Sequence, residues 1–312
     1  NICAMVAASP RHWTTLMRFT AYHERAAEKS FKPTDAMKLS CADFTFPLLP
    51  HDHVLQLVKL LGVGAVDLGF FSGRSHLQPE HVRDNVAGAA KKFSARLDEL
   101  DLELADVFLQ TSEHPAGLPA NHPDRAVREK TREFMKLALE FAVSAGARHI
   151  TGLPGVSHPD VSDGDSRCRA AEESSWRAAE AAKAGLVYSI EPHVGSICPS
   201  PETTLEFLRQ AHNVTLTLDY GHFIYQGMSN ELVHPLLPHV SHFHARGGAH
   251  RQLQSTVKEN TIDFPAIFQE LKKLNYQGYI CLEYVWVDWE GCNRTDNVSE
   301  TLLLKELLEK LI

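Results

Sequence analysis

A (β/α)8 barrel is the fold the sequence predicts, and three observations predict it. Eight short apolar, β-branched runs recur along the chain, amphipathic helical stretches separate them, and no GxGxxG loop follows an early run. Strands joined through helices must run parallel, because the crossover needs a dozen or more residues. Eight such units close most simply as a barrel. The alternative, a doubly wound open sheet, would want the glycine-rich phosphate loop that this chain lacks. A length of 312 residues suits a single α/β barrel with an extension, since such barrels run to about 200–250 residues or more as one domain.

The candidate strands are Lys38–Cys41, Ala65–Gly69, Leu102–Leu109, His149–Leu153, Leu186–Glu191, Thr215–Asp219, Ser241–His244 and Tyr279–Glu283. The candidate helices are His53–Leu61, Pro79–Leu97, Asp124–Ala145, Arg167–Ala184, Pro201–Ala211, Asn230–Leu237, Pro265–Leu274 and Val298–Leu311. Glycine follows two of these helices, in Ser144-Ala145-Gly146 and Lys183-Ala184-Gly185, as C-cap chemistry requires. Met37 opens the stretch MKLSCADFTF and reads as a domain start. The expected division is therefore an extension over 1–36 and a barrel over 37–312. The extension is either artefactual upstream sequence or a helical arm around Trp13 to Lys29.

Composition narrows the partners. The chain is 44% hydrophobic and 22% charged, with a net charge of −8 and a pI near 6.1. That is ordinary globular composition without a basic footprint, so nucleic acid is not an expected partner. No apolar run approaches the roughly 18 residues that span a bilayer, so no membrane is expected either. The start NICAMVAASPRHW lacks the apolar core of a signal peptide. The six cysteines (Cys3, Cys41, Cys168, Cys198, Cys281 and Cys292) show no CxxC spacing. They read as scattered reduced thiols, and a cytoplasmic location is expected. A homo-oligomer is the expected assembly.

The active site of an α/β barrel lies at the C-terminal ends of its strands. Strand five reads LVYSIEPH and ends on Glu191. Strand six, VTLTLDYGH, ends on Asp219, with His222 just beyond. Strand seven, VSHFHARGG, ends on His244, with Arg246 beyond, and strand eight, YICLEY, ends on Glu283. Taken singly, a strand-end carboxylate is usually a helix cap or half of an ion pair, and a histidine in an apolar run is usually a satisfied core residue. Four metal-competent groups at equivalent positions on successive strands are different. Uncompensated inside a barrel rim they would be costly, so they must share a partner. Three carboxylates and one imidazole make a hard, mostly oxygen shell, suited to one divalent ion of manganese, magnesium or cobalt.

The runs Glu191-Pro192-His193, Leu218-Asp219-Tyr220-Gly221-His222, His242-Phe243-His244-Ala245-Arg246 and Leu282-Glu283-Tyr284 together resemble the xylose-isomerase-like TIM barrels. The likeness is to the sugar epimerase and isomerase group similar to ketose 3-epimerases and hydroxypyruvate isomerase. The resemblance implies a single metal ion, manganese first, held by Glu191, Asp219, His244 and Glu283. It also implies that Glu191 and Glu283 are the catalytic acid/base pair and that His222 contacts the substrate. Proton transfer beside a sugar carbonyl needs one proton removed from carbon and another delivered, which two carboxylates can do. Arg246 is placed to donate to a developing oxyanion or to a hydroxyl; a rim ion pair is its other reading. After Glu191 the chain departs from the epimerase pattern with Pro-His-Val-Gly, which makes His193 a candidate substrate contact. The strand-eight loop is long and aromatic, and Trp286, Asp288 and Trp289 could stack on a sugar or bond its hydroxyls. Arg74, His76, Glu113 and His114 are expected on the same rim.

The expected function is a metal-dependent isomerase or epimerase of a ketose or keto-sugar. The main alternative is a metal-dependent lyase or dehydratase acting on a keto-sugar, keto-inositol or oxidised glycoside. A non-enzymatic sugar-binding module is a third class. Apurinic-site endonucleases of the same superfamily need further histidines on strands two and three, and these strands carry none in register.

Overall fold

The computed structural model describes residues 37–114 and 116–312, which form one compact unit. The extension expected over 1–36 lies outside the described residues. Eight strands close a barrel in sequence order, every neighbouring pair parallel, with β8 hydrogen-bonded back to β1. They are β1 (Lys38–Ala42), β2 (Ala65–Phe71), β3 (Glu103–Gln110), β4 (His149–Gly152), β5 (Val187–Ile190), β6 (Thr215–Asp219), β7 (Val240–Ala245) and β8 (Tyr279–Leu282). The main core lies between this sheet and the helices around it. There the helix Arg125–Ala145 buries Phe134, Met135, Ala138, Leu139, Phe141 and Ala142 against the strands, the spacing of one helical face.

Local chemistry sets the helix boundaries. Arg125–Ala145 begins where the Asp124 side chain accepts from Ala126 N, and it stops at Gly146, whose φ of 85° suits a residue without Cβ. The next helix starts four residues before the position the sequence suggests, at Asp163 rather than Arg167. Ser162 Oγ accepts from Asp165 N, and Asp163 and Asp165 complement the dipole of the first turn. The single helix expected over Pro79–Leu97 is broken into Pro79–Val82, a 3-10 turn Arg83–Asn85, and Val86–Glu99. Asn85 leaves the helical region and its side chain caps the new helix at Gly88 N. Asn230–Leu237 likewise gives way after Val233 to a 3-10 segment, His234–His239, because Pro235 and Pro238 cannot continue α-type hydrogen bonding. Among the described residues no helix is long and apolar enough to cross a membrane.

Strand alternation organises the barrel interior. Side chains two apart on a strand share a face, so Ser189, Thr217, His242 and Cys281 sit one step below Glu191, Asp219, His244 and Glu283. This lower layer is polar and buried. Thr151 Oγ1, Ser189 Oγ and Thr217 Oγ1 form a triangle of 2.5–3.2 Å contacts. His242 Nε2 meets Asp67 Oδ2 at 2.5 Å. His149 Nδ1 meets Asp106 Oδ1 at 2.7 Å, while its Nε2 meets Ser241 Oγ at 2.8 Å.

Candidate active site

Strands β5 to β8 bring Glu191, Asp219, His244 and Glu283 to one end of the barrel, all buried. His244 Nδ1 lies 2.7 Å from Glu191 Oε1 and 3.2 Å from Glu283 Oε2. These three form one compact group of ligand-type atoms. Glu191 also belongs to a second, with Asp219 and His222. The expected four are thus gathered as two overlapping trios that share Glu191. Asp219 already has partners: its Oδ1 accepts from Gly221 N at 2.7 Å, and its Oδ2 accepts from Arg246 Nη2 at 2.6 Å. Arg246 also stands 3.1 Å from His222 Nε2. In this arrangement Arg246 is the ion-pair partner of Asp219.

The electrostatics are those of crowded like charges. Burial, then the nearby Glu283 carboxylate, pushes Glu191 up to about 7. Burial also raises Asp219, and Arg246 offsets it only in part. Burial pulls His244 down, but Glu283 and Glu191 outweigh it and hold the imidazole well above its ordinary value. Burial would raise Glu283 as well, yet His244 beside it holds that carboxyl below the usual range. The group therefore keeps protons where a cation would neutralise it. Glu283 Oε2, His244 Nε2 and Arg246 Nε are buried without a hydrogen-bond partner. Three carboxylates and one imidazole nitrogen, with an orphaned carboxylate oxygen among them, fit a hard divalent ion.

The other expected contacts divide. His193 is buried, with Nδ1 3.1 Å from Glu191 O, and burial brings its imidazole down to about 4. It is neutral near pH 7, and its ring lies 6.0 Å from that of His222. Trp289, itself exposed, is the loop tryptophan beside the site, its ring 6.1 Å from that of His222 and tilted at 37° to it. Trp286 is exposed, and Asp288 is an exposed acceptor for Asn293 Nδ2. The strand-eight loop is held in place by Gln254, whose amide bonds Val285 N and the carbonyls of Val285 and Cys292, and by Tyr225 Oη donating to Glu290. Arg74 lies 4.5 Å over the Phe71 ring and donates to Gln110. His76 stacks on His51 at 4.8 Å, beside Asp43. Glu113 and His114 are exposed.

Strands β1 to β3 supply what the sequence reading missed, an apolar wall. Phe44, just after β1, Phe71 and Phe108 pack at 4.9–6.2 Å between ring centroids, with Leu153 and Val285 against them. Phe108 also reaches the His244 ring at 5.7 Å. Gly69 is needed beneath this wall, because a Cβ there would stand 2.7 Å from the Phe44 ring.

A closed parallel barrel with a buried carboxylate–imidazole site at its strand ends defines the class of protein. Residues 55–307 match the xylose isomerase-like TIM barrel family, and the chain belongs to it. No curated protein matches it in sequence. Among solved structures it is similar to a D-tagatose 3-epimerase-like protein, at 22% identity and a TM-score of 0.69, over 88% of this chain and 98% of that one. It is also similar to the probable 3-DHS dehydratase involved in petrobactin synthesis from Bacillus anthracis (16%, TM-score 0.66, 88% and 99% covered). An AP endonuclease, family 2, from Brucella melitensis is a third (18%, TM-score 0.67, 86% and 99% covered). At these identities the likeness establishes the shared fold.

Proposed function

We propose that this protein is a divalent-metal-dependent isomerase or epimerase that moves a proton at the carbon beside the carbonyl of a ketose or keto-sugar. One observation carries the reading: Glu191 and Glu283, delivered by strands β5 and β8, converge on the same nitrogen of His244 from 2.7 and 3.2 Å. Glu191, Asp219, His244 and Glu283 would hold the ion, and manganese, magnesium or cobalt suits that donor set. When bound, the ion supplies positive charge for the oxygen next to the carbon that loses its proton. The two glutamates then stand on different sides of a substrate lying over the site. One takes the proton from carbon and the other returns one. The aromatic wall excludes water on the opposite side, and Trp289 offers a face on which a sugar can stack. Catalysis would be by Glu191 and Glu283; His193, His222 and Arg246 would contact substrate, with Trp286 and Asp288 at the outer edge of the loop.

A second reading is elimination, as in a lyase or dehydratase. It is favoured by the structural likeness to a probable dehydratase and by the departure from the epimerase pattern after Glu191. The experiment is a metal-supplemented screen of keto-sugars, keto-inositols and 3-keto-glycosides in deuterated water, followed by NMR. Deuterium entering beside the carbonyl, with an epimer or isomer recovered, is the expected result. Elimination without epimer at any time would overturn it in favour of the lyase. The barrel 37–312 as the folding unit, a cytoplasmic location and a homo-oligomeric state belong to the same proposal.

A further inference from the structure

Beneath the proposed metal ligands lies a buried group that the chemistry above does not use: Asp67 on β2, His242 and His244 on β7, and Cys281 on β8. Its composition would suit a second ion, but two of its members already pair with each other. His242 Nε2 and Asp67 Oδ2 are 2.5 Å apart. They form a hydrogen bond, the imidazole N–H donating to the carboxylate. The same Asp67 oxygen is 3.7 Å from His244 Nε2, the face of that ring turned away from Glu191 and Glu283.

We propose that Asp67 is a positioning residue: when an ion replaces the contact between His244 Nδ1 and Glu191, the Asp67 carboxylate, already bonded to His242, accepts the N–H of His244 Nε2 and so turns the Nδ1 lone pair to the ion. This rests on the metal-site reading above. A neutral imidazole carries one N–H, and the partner of one nitrogen decides which face is free to bind a cation. His244 Nε2 is buried without a hydrogen-bond partner within ordinary reach, and so is Asp67 Oδ1. The ring of His242 stands at 86° to that of His244, with centroids 5.4 Å apart. His242 thus fixes the carboxylate from the side, and closing the 3.7 Å gap needs only a small shift of the His244 ring when Nδ1 takes up an ion.

The test is Mn2+ binding, followed by the EPR signal of the free ion, in the wild type, Asp67→Asn and Asp106→Asn. The last variant breaks a buried Asp–His pair with His149 in the same layer, but one that does not touch His244. Asp67→Asn is expected to weaken Mn2+ binding about 10–100-fold, the usual effect of losing such a partner, and Asp106→Asn to leave it within about twofold. Equal affinities in the two variants would overturn the inference alone. A wild type that binds no Mn2+ would overturn the metal reading and this inference together. If Asp67→Asn does not fold, nitrogen-15 histidine spectra of the Mg2+-loaded wild type decide. His244 with its proton on Nε2 supports the proposal, and the proton on Nδ1 contradicts it.

Discussion

The two halves of the barrel mouth are built from opposite materials. Strands β5 to β8 end on Glu191, Asp219, His244 and Glu283, with Arg246 buried beside them. Strands β1 to β3 and the turn after β1 bring Phe44, Phe71 and Phe108 together, with Leu153 after β4. The difference shows how a site with so many like charges can exist. The polar half would be ordinary if water filled the other side. An apolar wall, with Phe108 5.7 Å from the His244 ring, offers that water no polar partner, and charge interactions are stronger beside such a low-dielectric surface.

Three changes sharpen or break this division, the largest first. Glu191→Gln or Glu283→Gln keeps the shape of the polar half and removes its acid–base capacity. Turnover is expected to fall by about 10²–10⁴-fold or more, measured on whichever substrate the deuterium screen identifies; activity within tenfold of wild type would break the assignment. Phe108→Ala opens the apolar half. A buried phenylalanine truncated in this way costs about 3–5 kcal/mol of stability, to be measured by urea unfolding. A loss below about 1 kcal/mol would mean that the wall is loosely packed. The smallest effect lies beneath both halves, at His149. Burial holds this imidazole below its ordinary value, although Asp106 opposes the shift. The unfolded chain takes up a proton at this histidine near pH 6.5 and the folded chain does not. Stability is therefore complete above that pH and is lost as the pH falls below it. His149→Gln should flatten the stability–pH slope below about 6.5 relative to wild type; an unchanged slope would show that His149 does not contribute to it.

The same division explains what was legible in the sequence. The polar half was readable because chemistry-bearing residues stand out at strand ends. Glu191, Asp219, His244 and Glu283 were each found as the last polar group of an apolar run, and the structure brings them to one rim. The wall was not readable. Phe71 and Phe108 sit in continuous apolar runs, and in a parallel barrel such runs look alike whether a side chain faces the core or the mouth. The lower layer carried a signal that went unused. Counting back two residues from each candidate ligand gives Ser189, Thr217, His242 and Cys281, polar or soft residues where barrel interiors favour branched apolar ones. The packing of His76 on His51 was not readable either, because nothing in a loop sequence announces it. The helix over Pro79–Leu97 was read through its own break, because Asn85 resembles a surface residue until its cap on Gly88 N is seen.

The proposed chemistry requires one divalent ion in the polar half of the mouth. Elemental analysis of the purified wild type beside a Glu191→Gln/Glu283→Gln double variant tests it most directly, with circular dichroism to establish that both are folded. Close to one equivalent of metal is expected in the wild type after Mn2+ supplementation and desalting, and a large loss in the folded double variant. Equal stoichiometric metal in both proteins, or none in either, would contradict it.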